Sequence, residues 1–145
     1  MKSLACTILC CVASIFATAQ SDNDLINAAC MNYIEGFYQG DTARLTKSLK
    51  PTLYKIGFWK DKNSGTYKPE GTMSYQQAID YAKKVLASKH FAKPDAPKKV
   101  VLLDVDEAIA AAKVTAWWGV DYILLSKQNG IWMIEEVLWQ GPLIK

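Results

Sequence analysis

The chain has 145 residues, half of them hydrophobic and 21% charged, the profile of a packed globule rather than a disordered tail. A formal net charge of +3 is too weak to argue for nucleic acid as a partner. One histidine and four cysteines leave little from which to build a metal centre.

In chain order, Lys2, the uncharged apolar run Leu4 to Phe16 and the small-x-small triplet Ala17-Thr18-Ala19 predict a signal peptide over residues 1–19, cut near Ala19-Gln20. The run is shorter than the roughly 20 residues that span a bilayer. A domain at 20–145 is therefore expected to be exported, periplasmic or secreted, and free of the membrane after cleavage. A lipid anchor fits less well, because Leu9 stands before Cys10 where a small residue is needed. Loss of Cys6, Cys10 and Cys11 leaves Cys30 with no internal disulfide partner, and its apolar helix face makes it a buried thiol.

Asp22 or Asp24 can cap a first helix to about Gln39, with Leu25, Ile26, Ala29, Cys30, Tyr33 and Phe37 on one face. Gly40 ends it, and Asp41 caps a second, short helix carrying Leu45 and Leu49, stopped by Pro51. From Thr52 to Lys60 the period becomes two: Tyr54, Ile56 and Phe58 face one way; Leu53, Lys55, Gly57 and Trp59 face the other. A turn and a short strand at Thr66 to Lys68 follow. Ser74 with Gln77 then forms a capping box for a third helix. Four strands close the chain: Lys99 to Asp106, Ala108 to Trp118, Val120 to Lys127 and Ile131 to Trp139, the last reversal marked by Asn129-Gly130.

Helices before a meander predict an α+β fold with helices on one face of an antiparallel sheet. A two-residue turn at Asn129-Gly130 pairs Lys127 with Trp132, Leu125 with Ile134, Ile123 with Glu136 and Asp121 with Leu138. Both faces of that ribbon are mainly apolar, whereas a sheet with one wet face alternates cleanly. A homodimer through the sheet is the expected explanation.

Tyr33-Ile34-Glu35-Gly36, Gly40-Asp41, Leu45 and Pro51, with Asp104-Val105-Asp106, Ala112-Lys113-Val114, Asp121-Tyr122, Leu124-Leu125, Gly130, Trp132 and Ile134, resemble the putative lumazine-binding family of the nuclear transport factor 2-like superfamily, whose relatives include the SnoaL-like and ketosteroid isomerase-like groups. The resemblance implies a cone-shaped barrel, a curved sheet wrapping three helices, a pocket at the wide end and homodimerisation through the outer sheet. Lys50 precedes Pro51 where members often carry a histidine, so no histidine role transfers.

Asp121 and Glu136, diagonal in that register, are the candidate catalytic pair; two carboxylates about 7–8 Å apart on an apolar face can push one pKa up and make a general acid or base. Their plain alternative is a strand-end pair of carboxylates bound by Lys127 or Lys113. Tyr33, Phe37, Tyr54, Phe58, Trp59, Trp117 and Trp139 come from elements that converge in the cone and form the candidate ligand-binding set. His90, alone in a basic loop, makes neither a metal site nor a triad, and with no glycine-rich phosphate loop no cofactor is implied.

The function expected is an exported module binding a small apolar or aromatic molecule without transforming it. The alternatives are a small isomerase, dehydratase or cyclase using Asp121 and Glu136, and a protein-interaction module whose cone is filled by its own side chains.

Overall fold

The computed structural model describes residues 20–143; the signal peptide expected over residues 1–19 lies outside the described residues. Three helices, α1 (Asp22–Gln39), α2 (Thr42–Ser48) and α3 (Tyr75–Ser88), pack on one six-stranded sheet. The strands are β1 (Leu49–Lys60), β2 (Tyr67–Ser74), β3 (Lys99–Val105), β4 (Ile109–Ala116), β5 (Gly119–Gln128) and β6 (Ile131–Gly141). Their order across the sheet is β2-β1-β6-β5-β4-β3, so the sheet curves around the helices without closing.

The expected wholly antiparallel sheet is corrected at one seam. β3 to β6 form the predicted antiparallel meander, but β1 lies parallel to β6 and makes the sheet mixed. The connection from β1 to β6 contains β2, α3 and β3 to β5, long enough to return the chain in the same direction.

Caps set the helix boundaries. Ser21, rather than Asp22 or Asp24, caps α1 by accepting from the Asp24 amide. Asp22 is thereby freed to accept from Trp132 Nε1 and Lys127 Nζ, each at 2.9 Å, tying the helix start to the β5–β6 hairpin. Asp41 caps α2 through the Ala43 and Arg44 amides. Both bonds of the capping box form at α3, Gln77 N to Ser74 Oγ and Ser74 N to Gln77 Oε1.

Two details of β1 differ from expectation. Leu49 opens the strand instead of closing α2. Pro51 lies within the strand, where the β1–β6 register is interrupted between Leu49 and Tyr54; a proline, having no N–H, is tolerated at such a break.

The register of the last hairpin decides which side chains share a face. Asn129 (φ 51°) and Gly130 (φ 76°) make the two-residue turn, and Lys127 meets Trp132 and Leu125 meets Ile134 as expected. Beyond that, Leu124 pairs with Glu136, so Glu135 is an extra residue in β6. Ser126 Oγ, Lys50 Nζ (3.4 Å) and Thr52 Oγ1 (3.4 Å) hold the Glu135 carboxylate there. After the bulge every β6 side chain changes sides: Ile123 faces Val137 rather than Glu136, and Asp121 faces Trp139 rather than Leu138.

The inner face carries Ala112, Val114, Ile123, Leu125, Ile134 and Val137, buried against Ile26, Ala29, Cys30, Tyr33 and Ile34 of α1. The outer face leaves Tyr54, Val101, Ile109, Tyr122, Leu124 and Leu138 exposed in the single chain, Leu124 at 50%.

Candidate functional site

Where the inner face of the sheet diverges from the helices, a cavity of about 360 Å³ remains. Tyr33 and Phe37 reach it from α1, Lys55 and Trp59 from β1, Tyr81 from α3, Trp117 and Trp118 from the β4–β5 turn, and Trp139 from β6; Glu70 and Met73 of β2 complete the wall. Spacing builds each pair. Tyr33 and Phe37 are four apart on one helix face, and Lys55, Gly57 and Trp59 alternate onto one strand face.

The walls are aromatic edges and faces set at 60° to 87° to one another. Tyr33 stands edge-on to Phe37 at 5.1 Å and to Trp118 at 6.0 Å, Phe37 to Trp118 at 5.8 Å, and Trp59 to Trp139 at 6.2 Å. Edge-to-face contacts of this kind stabilise the rings beyond the area that they bury. Gly57 lets the Trp139 indole lie flat on β1; an added Cβ there would stand 1.9 Å from the ring.

The floor is polar. Lys55 Nζ donates to the Tyr33 oxygen at 2.7 Å, and the Tyr33 hydroxyl donates to Asp121 Oδ2 at 2.6 Å. Trp118 Nε1 donates to Asp121 Oδ1 at 2.9 Å, and Lys55 Nζ lies 3.7 Å from Asp121 Oδ2. Asp121 is 0% exposed and Lys55 7%. A buried carboxylate with both oxygens bonded and a buried cation alongside is the arrangement in which such charges persist. Burial holds the Lys55 amine below its ordinary pKa, opposed by the Asp121 charge. Burial, and then the same charge, raise the Tyr33 phenol well above its ordinary value. They also push the neighbouring Cys30 thiol up to about 12, leaving it inert.

Of the predicted ligand set, Tyr33, Phe37, Trp59, Trp117 and Trp139 line the cavity. Tyr54 and Phe58 do not, because they alternate with Trp59 onto the outer face of β1, where Tyr54 pairs with Glu136 and Phe58 with Gln140. The two candidate acids are not brought together. Asp121 lies on the inner face beneath the cavity, while Glu136 is exposed on the outer face because of the bulge at Glu135. Sequence reasoning missed Lys55 and Trp118. The signal for Lys55 was present, since it shares the strand face of Trp59. Glu70 and Tyr81 had no local signal at all.

A family model described as putative lumazine-binding matches residues 21–140. The chain belongs to the putative lumazine-binding family. No curated protein matches it. Among solved structures, this member of the family is similar to a nuclear transport factor 2-like protein of unknown function from Silicibacter pomeroyi, at 16% identity over 83% of this chain and 98% of that one, with a TM-score of 0.57. It is similar to another nuclear transport factor 2-like protein, from Cytophaga hutchinsonii, at 12% identity over 85% and 100%, with a TM-score of 0.60. A domain of unknown function with a cystatin-like fold from Nostoc punctiforme aligns at 14% identity over 88% and 81%, with a TM-score of 0.55. At these identities the solved structures establish the cone-shaped α+β fold and carry no chemistry. Family and fold together support a ligand-binding module.

Proposed function

We propose that this protein is an exported, non-catalytic module that binds a small, flat, apolar or aromatic molecule in the cavity beneath Trp118 and pairs with a second copy through the outer face of its sheet. The observation carrying the binding role is the cavity itself: about 360 Å³ of space walled mainly by aromatic side chains, with its polar groups gathered at the floor, the usual make-up of a small-molecule site. A cone filled by its own side chains, as a protein-interaction module needs, would leave no such space.

Binding without turnover is favoured by the state of Asp121. A general base must reach the proton it removes, and both Asp121 oxygens are already bonded within a fully buried carboxylate. Glu136, facing away, gives it no partner acid. Export is supported by the apolar segment 4–16 and Ala17-Thr18-Ala19. Pairing is supported by the contiguous outer-face side chains Tyr122, Leu124 and Leu138, of a kind that monomers rarely expose together.

Thermal melting with flat aromatic probes tests the binding role. Fused two-ring compounds should raise the melting temperature of the wild type, because a ligand that binds only the folded state stabilises it. Trp59→Ala should abolish the rise; a rise of equal size in that variant would place binding elsewhere.

A further inference from the structure

Among the described residues the cavity meets one buried cation, Lys55, and that cation has donor capacity to spare. A lysine ammonium carries three N–H donors. Among the described residues Lys55 Nζ makes one hydrogen bond, to the Tyr33 oxygen at 2.7 Å. Asp121 Oδ2, at 3.7 Å, is an ion-pair partner beyond hydrogen-bond reach. The indole of Trp139 also lies close by, its ring centroid 5.3 Å from Nζ. Lys55 is nonetheless 7% exposed and lines the cavity. Tyr33 cannot act in its place, because its single proton is committed to Asp121.

Charge then selects the acceptor. Asp121 already neutralises Lys55, so a ligand carboxylate would set two anions around one cation in an apolar site, and a ligand amine would face Lys55 as a like charge. At the Lys55 end either leaves an uncompensated buried charge, because Glu70, the acid of the cavity wall, is exposed on β2. A neutral carbonyl oxygen fills the free donors and adds no charge.

We infer that the cavity selects a flat aromatic molecule bearing a neutral carbonyl oxygen, which seats on Lys55 Nζ while its rings lie against Trp59 and Trp139. This rests on the binding role proposed above and adds the functional group to it. Lys55 is thus the specificity-determining residue, with Tyr33 and Asp121 holding its amine in place.

Four matched naphthalenes test the inference by quenching of tryptophan fluorescence: 2-acetylnaphthalene, 2-isopropylnaphthalene, 2-naphthoate and 1-(2-naphthyl)ethylamine. The ketone should bind about tenfold or more tightly than the hydrocarbon of the same shape, the size of effect expected for a hydrogen bond to a charged donor. The acid and the amine should bind more weakly than the ketone. In Lys55→Met the ketone and hydrocarbon should bind alike. That variant strands the Asp121 carboxylate, so Lys55→Met combined with Asp121→Asn is measured beside it, with the same equality expected. A wild type that holds ketone and hydrocarbon equally, or the acid most tightly, overturns the inference and leaves the cavity as a ligand site. Persistence of the ketone preference without Lys55 also overturns it. If none of the four quenches the wild type, the binding role falls as well.

Discussion

The Tyr33 hydroxyl donates to Asp121 Oδ2 across 2.6 Å, joining α1 to β5 over a separation of 88 residues. Tyr33 also accepts from Lys55, so one phenol connects a buried cation to a buried anion. Tyr33→Phe keeps the ring and removes both bonds. It should cost about 1–3 kcal/mol in urea unfolding, because buried polar groups are left under-satisfied. Combined with Asp121→Asn in a double-mutant cycle, the coupling should reach roughly 0.5–3 kcal/mol. A coupling near zero would mean that the two groups are neighbours and no more.

The same phenol sets an alkaline limit. Its folded pKa is raised by burial and by Asp121, so its contribution to stability is fully present below the unfolded value of about 10 and is lost as pH rises through the folded value. Lys55 acts with the opposite sign. Its folded pKa is depressed, so the fold disfavours its charged form, and that penalty lessens as pH rises toward the unfolded value. Wild type should therefore lose more stability above about pH 10 than Tyr33→Phe does. In phenol absorbance titration, the native protein should withhold Tyr33 from ionisation until it unfolds.

Gly57 is where β1 passes beneath the Trp139 indole, with ring atoms 1.9 Å from the position of an added Cβ. Gly57→Ala must displace the ring, at about 1–3 kcal/mol as an overpacking change. A displaced indole enters the cavity, so probe affinity should fall together with the melting temperature. Retained affinity in a destabilised variant would show that Trp139 is core rather than cavity wall.

Pairing through the sheet is tested at Leu124, half exposed on the outer face and opposite Glu136. Leu124→Lys places a cation beside that glutamate, which favours the single chain by a few tenths of a kcal/mol, and buries a charge in any paired face. Sedimentation should show a dimeric wild type and a monomeric variant whose unfolding free energy, measured on the monomer, changes by no more than about 0.5 kcal/mol. A wild type that sediments as a monomer would end the pairing proposal.

Local chemistry was legible wherever a side chain bonds its own neighbourhood: the Asp41 cap, the Ser74–Gln77 box and the Asn129-Gly130 turn are all written within four residues. What was illegible depends on partners distant in the chain. Glu135 bulges because Ser126, Lys50 and Thr52 hold it, and no local period announces that; yet this one residue moves Glu136 and Leu138 to the outer face and Trp139 to the inner. The alternation of β1 sets Lys55 on the face of Trp59, but only the parallel pairing of β1 with β6, which places it beside Val137, makes that face a buried one. Tyr54 and Phe58 were grouped with Trp59 because they are aromatic, although the alternation of β1 already put them on opposite faces.

The cavity as a ligand site is tested most directly by fluorine NMR of protein labelled with 5-fluorotryptophan. The chain has five tryptophans. Trp59, Trp117, Trp118 and Trp139 line the cavity, whereas Trp132 is 3% exposed and bonded to Asp22. Adding 2-acetylnaphthalene should shift the first four resonances and leave that of Trp132 in place. Four unmoved resonances at saturating probe, or a shift confined to Trp132, would contradict the site.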